Sequence, residues 1–433
     1  MWVKAYKVLN TLHNAGYEAV YAGGCVRDLL LFRKPKDIDI ATNARPEQIE
    51  VLFPRTLALG KSFGVITVLQ DEESFEVATF RKDDVYEDGR HPRRVEFCEM
   101  EEDAKRRDFT INGMFYDPTC QQVVDYVGGK EDLIRRQIRF IGSPEQRIVE
   151  DKLRMLRAIK FAVRYGFSIE PQSFEAIQNN AFSILQVSFE RIREELFQLL
   201  CCENSGGLGL LLDSGLLRCV LPEVSCLKGI EQGELHHPEG DTWEHTKLVV
   251  SHVSLDPVIR MAALLHDIAK PHTFKIRNDR PTFYGHADQG EKVAREILKR
   301  LKCSNDFIDE VGWLVRNHMK FFQVKNMKNS TLIKLFRHAS FKKLLELHKA
   351  DVLGSNDDLS LWEYTSQKYE ELQSYMWPQP LLNGNLLKDL GYVPGPLFNT
   401  ILKDVESQQL NGTLKNTKEA ITYIQLTYSK EII

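Results

Sequence analysis

The segment 21–42, YAGGCVRDLLLFRKPKDIDIAT, constrains the fold more than any other part of the chain. An apolar run, Ala19-Val20-Tyr21-Ala22, meets Gly23-Gly24, and Val26-Arg27-Asp28-Leu29-Leu30-Leu31 follows. That order predicts strand, glycine turn and helix. Further on, Asp37-Ile38-Asp39-Ile40 alternates acidic and apolar residues, the period of a half-buried strand, so both carboxylates share one face. Close carboxylates repel unless a cation lies between them, and hard oxygen ligands suit Mg²⁺. Glycines ahead of a helix let backbone N–H groups approach a phosphate, with Arg27 as a charged donor. Singly, a Gly-Gly pair is a tight turn and an acidic pair a solvated strand edge. Together they predict a triphosphate cradle beside metal-binding acids.

At 433 residues the chain exceeds one comfortable domain. No apolar run is long enough to span a membrane, and the N-terminal stretch lacks a signal peptide's apolar centre. A cytoplasmic protein is expected. The eight cysteines are scattered without a CxxC pair, so neither a disulfide framework nor a zinc ribbon follows. They are expected to be reduced and mostly in the core. A net charge of −4 excludes a protein basic all over, so nucleic-acid binding must come from a local patch. The candidate patch is Arg135, Arg136, Arg139, Arg147, Lys152, Arg154, Arg157, Lys160 and Arg164. Its ordinary alternative is a solvated helix face, since acids are interspersed.

The motif GGCVRDLLL followed by KPKDIDIAT resembles the tRNA nucleotidyltransferase and bacterial poly(A) polymerase family. Along the chain, residues 1–16 predict a helix. Arg45-Pro46-Glu47 opens another, with Thr42 or Asn43 as cap. Strands are predicted at 56–59, 65–69 and 75–80, and 60–64 (GKSFG) is a phosphate-friendly turn. Glu76 is either a third acid beside Asp37 and Asp39 or a plain surface residue. The charged stretch 81–97, RKDDVYEDGRHPRRVEF, reads as a long loop. In the family such a loop accompanies addition of all of CCA rather than CC alone. Next, RRDFTIN at 106–112 resembles the family's RRDFTxN. Arg107 suits a triphosphate, while Asp108 and Asn112 suit ribose hydroxyls. The ordinary alternative is a charged helix start.

After residue 142 the pattern is helical. Residues 144–166 predict one long helix with Asp151, Arg154 and Arg157 on its polar face. Glu150-Asp151-x-x-Arg154 resembles the family's nucleotide-templating EDxxR. Arg offers only donors and ionised Asp only acceptors. Cytosine and adenine both present a ring acceptor and an amino donor, which one Asp–Arg pair can meet. Uracil and guanine reverse that pattern. The mismatch costs about 1–3 kcal/mol per unmet group. Ser188 is the expected cap of the next helix, whose ERI segment reads as structural support.

A second constellation follows from His236: HHPEGDTWEHT, ALLHDIAKP, YGHADQG, LVRNHM and HKADVLG. Single histidines are mostly core or surface residues, but here they recur at element ends beside acids. The set resembles the HD phosphohydrolase domain. The resemblance implies one divalent metal, of unassigned identity, on His245, His266, Asp267 and Asp351. His286 and His318 would serve a second metal or a phosphate.

The expected fold is α+β: a nucleotidyltransferase head with a mixed sheet and helices, then an all-α body including an HD domain. The expected division is head 1–142, helical neck 143–230, HD domain 231–357 and C-terminal helical arm 358–433. The resemblance implies template-independent addition of CCA to the 3′ end of tRNA from CTP and ATP, with pyrophosphate released. Asp37 and Asp39 would hold Mg²⁺, with Glu76 as third acid. Gly23, Gly24, Arg27, Arg107, Asp108, Asn112, Asp151, Arg154 and Arg157 would hold the nucleotide. No membrane and no DNA partner are expected. Two alternatives stay open: a poly(A) polymerase of the same family, and an HD phosphohydrolase whose head only binds nucleotide or RNA.

Overall fold

The computed structural model describes residues 1–83, 95–204, 206–233, 240–373 and 378–428. Most of the charged stretch at 81–97 lies outside the described residues, as do His236 and Trp377. Two compact units emerge: Met1–Ser225 with Arg300–Cys303, and Cys226–Lys299 with Ser304–Ile433.

The first unit is built on strands β1 (Ala19–Ala22), β2 (Asp39–Thr42), β3 (Thr56–Gly60), β4 (Val65–Gln70), β5 (Glu73–Thr79), β6 (Arg81–Asp83), β7 (Val95–Phe97), β8 (Phe115–Asp117) and β9 (Gln122–Val124). Seven of them form one mixed sheet in the order β3-β4-β5-β2-β1-β8-β9, with β2 parallel to β5 and the other neighbours antiparallel. Ala22 pairs with Asp39 and Val20 with Ala41. Asp39 therefore shares its face with Ala41, which packs in a cluster with Val20, Ala22, Met100, Ala104 and Phe115. Ile38 and Ile40 are buried on the opposite face. The helix Trp2–Asn14 buries Ala5, Val8, Leu9 and Leu12, an i, i+3, i+4, i+7 stripe.

Four sequence expectations need correction. Residues 144–166 form two helices, Pro144–Glu150 and Arg154–Tyr165, not one. Asp151 breaks them: it takes an extended conformation (φ −145°, ψ 104°), and its Oδ1 accepts from the Leu153 amide at 3.1 Å. A short acceptor side chain competes with the helix for backbone N–H groups in this way. The apolar pattern Ile148, Leu153, Leu156 continues across the break and hid it. Second, the cap of Pro46–Leu52 is Arg45, whose amide donates to Gln48, while the Thr42 hydroxyl donates to the Glu18 carbonyl. Ser188 does occupy the cap position of Phe189–Leu200, without a side-chain capping bond. Third, the body carries short strands among its helices, Ser168–Ile169 and the hairpin Lys275–Arg277/Arg280–Thr282. Fourth, of the eight free cysteines only Cys25 is buried.

In the second unit the helices Thr242–His252, Pro257–Leu265, Asn305–Asn317 and Phe341–Leu353 pack on one another. The last three helices, Gly384–Asp389, Pro396–Leu410 and Thr417–Thr427, close a core of their own around Leu387, Tyr392, Ile401 and Ile424. Among the described residues no helix is long and apolar enough to cross a membrane.

Candidate functional site

In the first unit a cavity of about 540 Å³ is lined by 18 residues, of which Arg27, Arg81, Arg106, Arg107, Arg154, Arg157, Lys160, Arg164 and Arg191 are cationic. Asp37, Asp39, Asp108 and Asp151 also reach it. Such a surplus of positive charge suits a polyanion.

Gly23 makes the turn from β1 into the helix Gly24–Leu30 at φ +69°. A Cβ there would meet only the movable tip of Arg107, Nη1 at 2.7 Å, so it is the positive φ that demands glycine. Arg107 is oriented by Asp103, which accepts from its Nε and Nη2 at 3.2 and 3.0 Å. Arg27 is buried, donates to Asp28 at 3.0 Å and to Asn112 Oδ1, and lies over the Tyr165 ring at 4.5 Å. Asp28 in turn accepts from the Tyr165 hydroxyl at 3.0 Å.

Asp108 accepts from Arg157 Nε and Nη2 at 2.9 and 2.6 Å, and from Asn112 Nδ2 at 3.1 Å. Burial works to raise its pKa, but Arg157, Asn112 and Arg154 hold it down to about 2. Lys160 and Arg157 share Glu195, at 2.5 and 3.6 Å. Much of the basic patch is thus turned inward and ion-paired, with Arg154 and Lys160 buried, rather than spread over a solvated face.

The expected Asp151–Arg154 pair meets only through the backbone, where the Arg154 amide donates to the Asp151 carbonyl at 3.0 Å, and the two side chains bond elsewhere. Asp151 Oδ2 accepts from Arg191 at 2.8 Å. Arg154 Nη1 donates to Glu150 at 2.6 Å and to the Arg147 carbonyl at 2.9 Å. Both residues still line the same cavity as Asp37 and Asp39. Arg191 was the residue missed from sequence: its ERI segment was visible but carried no sign that it reaches across to Asp151.

Asp37 lies just ahead of β2 and is exposed; Asp39, its first residue, is partly buried. The parallel register Ile40↔Val77 sets Glu76 beside Asp39, with the Glu76 side chain exposed. Burial, then the charges of Asp37 and Glu76, push the Asp39 carboxyl up to about 6 against the pull of Arg107. Asp39 thus resists ionisation through burial and because two further acids stand beside it, Asp37 ahead of β2 and Glu76 on β5. A stability test follows. The folded pKa lies above the ordinary 3.8, so ionised Asp39 costs stability that appears as pH rises through about 6 and is absent below about 4. Asp39→Asn should therefore stabilise the metal-free protein at pH 7.5, by as much as about 3 kcal/mol, with no gain at pH 4. Calorimetric unfolding at the two pH values measures it. An equal gain at both would refute the account.

In the second unit His245, His266 and Asp267 form one possible ligand trio, and Asp267, His286 and His318 another. His245 Nε2 lies 3.0 Å from Asp351 Oδ1 and 3.3 Å from His266 Nε2. His286 and His318 approach Nε2 to Nε2 at 3.2 Å. Every Nδ1 is already engaged with a backbone carbonyl: Gly354 for His245, Ala263 for His266, Phe283 for His286 and Val315 for His318. Those carbonyls fix the proton on Nδ1, so bare Nε2 lone pairs face each other in both pairs. A cation between the members of each pair would relieve that repulsion, and Asp267 is common to both candidate trios. Burial, helped by neighbouring histidines, pulls the His318 pKa down to about 3, which keeps the ring neutral. The six expected HD residues are brought together. Lys270, at 2.6 Å from Asp267 Oδ2, was not foreseen, although HDIAK places it one helical turn on.

Comparison with known proteins decides the family. The poly A polymerase head domain matches residues 19–139, the RNA and SrmB- binding site of polymerase A matches 166–227, and tRNA nucleotidyltransferase domain 2 matches 282–424. A CCA-adding enzyme of Streptococcus uberis is 31% identical over 425 residues, covering 95% of this chain and 93% of that protein. The chain belongs to the CCA-adding enzyme family. It is accordingly a nucleotidyltransferase. Another member of the family, from Bacillus subtilis, is 45% identical over 201 residues, 46% of this chain and half of its own. The CCA-adding enzyme of Bacillus stearothermophilus, solved with CTP, superposes with a TM-score of 0.74 at 26% identity, over 98% of this chain and 97% of its own. The α+β architecture is that of these CCA-adding enzymes.

Proposed function

We propose that this chain completes the 3′ end of tRNA with CCA, using CTP and ATP and releasing pyrophosphate, with no nucleic-acid template. The observation that carries the reading is the single cavity joining Asp37 and Asp39 to Asp151 and Arg154 through a wall of arginines. Asp37 and Asp39 would hold Mg²⁺, with Glu76 supporting their charge. Bound there, Mg²⁺ supplies Lewis-acid assistance to the tRNA 3′-hydroxyl and to the charge that develops on the phosphates. The backbone at Gly23 and Gly24, with Arg27 and Arg107, holds the triphosphate in line with the incoming oxygen. The 3′ oxygen bonds to the α-phosphorus, the bond from that phosphorus to the pyrophosphate oxygen breaks, and the hydroxyl proton leaves to solvent. Asp108 and Asn112, both tied to neighbours, present the polar edge that a ribose 2′-hydroxyl would meet. Asp151 and Arg154 read the base.

The second unit, in the same proposal, is a divalent-metal phosphohydrolase acting on RNA 3′-end phosphoesters, such as a terminal phosphate or a 2′,3′-cyclic phosphate. His245, His266, Asp267 and Asp351 would hold one metal, and His286 and His318 with Asp267 the other. Metals bound there would activate a water and clamp the phosphate. Four imidazole nitrogens favour a transition-metal ion such as Zn²⁺, Ni²⁺ or Fe²⁺ over Mg²⁺. Lys270 neutralises Asp267 and faces the same cavity.

The test uses purified protein, Mg²⁺ and a tRNA transcript ending at the discriminator base, with CTP and ATP supplied singly and together. Two C, then one A and a stop is the expected product. A long ladder of A with CTP ignored would instead mean a poly(A) polymerase. No extension by folded protein would leave the head as a binding module. For the second unit, the double variant His266→Ala, Asp267→Ala should lose metal-dependent phosphatase and cyclic phosphodiesterase activity. Full retention of both would refute the hydrolase.

A further inference from the structure

The cavity over the second unit's metal-ligand cluster measures about 840 Å³. Pockets of roughly 300–1,000 Å³ enclose whole organic ligands, and a phosphate alone needs far less. Asp267, His286, His318 and Asp351 line part of it, and Phe283, Tyr284 and Phe322 supply aromatic wall. Tyr284 is 76% exposed and Phe322 56% exposed, so neither ring is held by core packing.

His348 also lines this cavity. It stands one helical turn before Asp351 on the helix Phe341–Leu353. Its ring stacks on Phe321 at 4.4 Å and 8°, and meets Phe322 edge-on at 6.1 Å. The side chain is 1% exposed, yet neither ring nitrogen has a hydrogen-bond partner among the described residues. A buried polar group left in that state is costly, and its partner has to come from outside the fold. The four ligand histidines, by contrast, each spend Nδ1 on a carbonyl.

We propose that this cavity is a nucleoside site, in which His348 hydrogen-bonds the base of the RNA's terminal nucleotide while its 3′ phosphoester reaches the metal-ligand cluster. Three features of one ligand answer three features of the cavity. A phosphoester meets the ligand cluster and Lys270. A flat π-face meets Tyr284 and Phe322, as bases do on RNA-binding proteins. A ring-edge donor or acceptor meets His348. The inference rests on the hydrolase reading of the second unit and adds that the base, not only the phosphate, is recognised. His348 is then a specificity residue rather than a catalytic one.

The test uses the full chain, with adenosine 2′,3′-cyclic monophosphate as nucleotide and glycerol 1,2-cyclic phosphate as the same ester without a base. His348→Phe keeps the stack on Phe321 and removes both nitrogens. Tyr284→Ala with Phe322→Ala removes the two exposed rings and leaves the stack of His348 on Phe321 in place. Equilibrium dialysis of the metal-free protein with adenosine 3′-monophosphate should show a Kd raised about tenfold by His348→Phe. With metal added, kcat/KM for the nucleotide relative to the base-free ester should fall about tenfold in each variant. CTP addition to tRNA reports that the variants are folded. Unmoved Kd and unmoved ratio, with both esters hydrolysed, would overturn the nucleoside site and spare the hydrolase. A raised Kd with neither ester hydrolysed would support the site and overturn the hydrolase.

Discussion

Asp39→Ala should lower nucleotide addition about a thousandfold or more, with CTP and ATP alike. The lost group is one of only two carboxylates that face the arginine-lined cavity from the start of β2. Without it only the two exposed acids, Asp37 and Glu76, remain beside the start of β2. The effect belongs in kcat, measured in single-turnover assays at saturating nucleotide, because the residues proposed to hold the triphosphate, Gly23, Arg27 and Arg107, are untouched. Filter binding of CTP without metal should stay within a few-fold of the parent. Loss of activity explained wholly by weaker CTP binding would mean that Asp39 only shapes the pocket.

The second large effect concerns which base is accepted. Asp151→Ala should cut kcat/KM for both CTP and ATP by about a hundredfold and bring UTP and GTP close to them. The reasoning is a hydrogen-bond count. Asp151 supplies the only acceptor of the Asp–Arg pair, and the amino groups of cytosine and adenine need one. Arg191→Ala should give a smaller loss in the same direction, since its Nη2 contact at 2.8 Å holds the Asp151 carboxylate in place. The measurement is kcat/KM for all four nucleotides on a tRNA lacking its end. Equal losses for all four from Asp151→Ala, with discrimination intact, would place base reading elsewhere.

Much of this site could be read from the chain because its parts are local. Gly23, Gly24 and the acids of segment 37–39 sit within one strand–turn–helix–strand, where periodicity and turn chemistry act over a few residues. RRDFTIN and HDIAK are local in the same sense. What escaped was set by contacts far apart in sequence. Nothing near Asp151 says that Arg191 will take its free oxygen, or that Glu150 rather than Asp151 will hold Arg154. The break at Asp151 was hidden because the apolar stripe that predicts a helix serves two successive helices equally well when they bury the same side. His348 was passed over for a similar reason: HKAD drew attention to its aspartate, and only burial without partners marks the histidine. The cysteines were misjudged because a small thiol is tolerated at half-exposed positions as readily as in a core.

The histidines of the second unit carry one more consequence. For His266, His286 and His318 the carbonyl that fixes the ring belongs to the residue three places earlier in the chain. Each ring is aimed by its own backbone turn, not by the other histidines of the cluster. Such a centre is modular. Loss of one of these histidines leaves the others aimed, so the cluster can lose or regain a member by one substitution without refolding the neighbourhood.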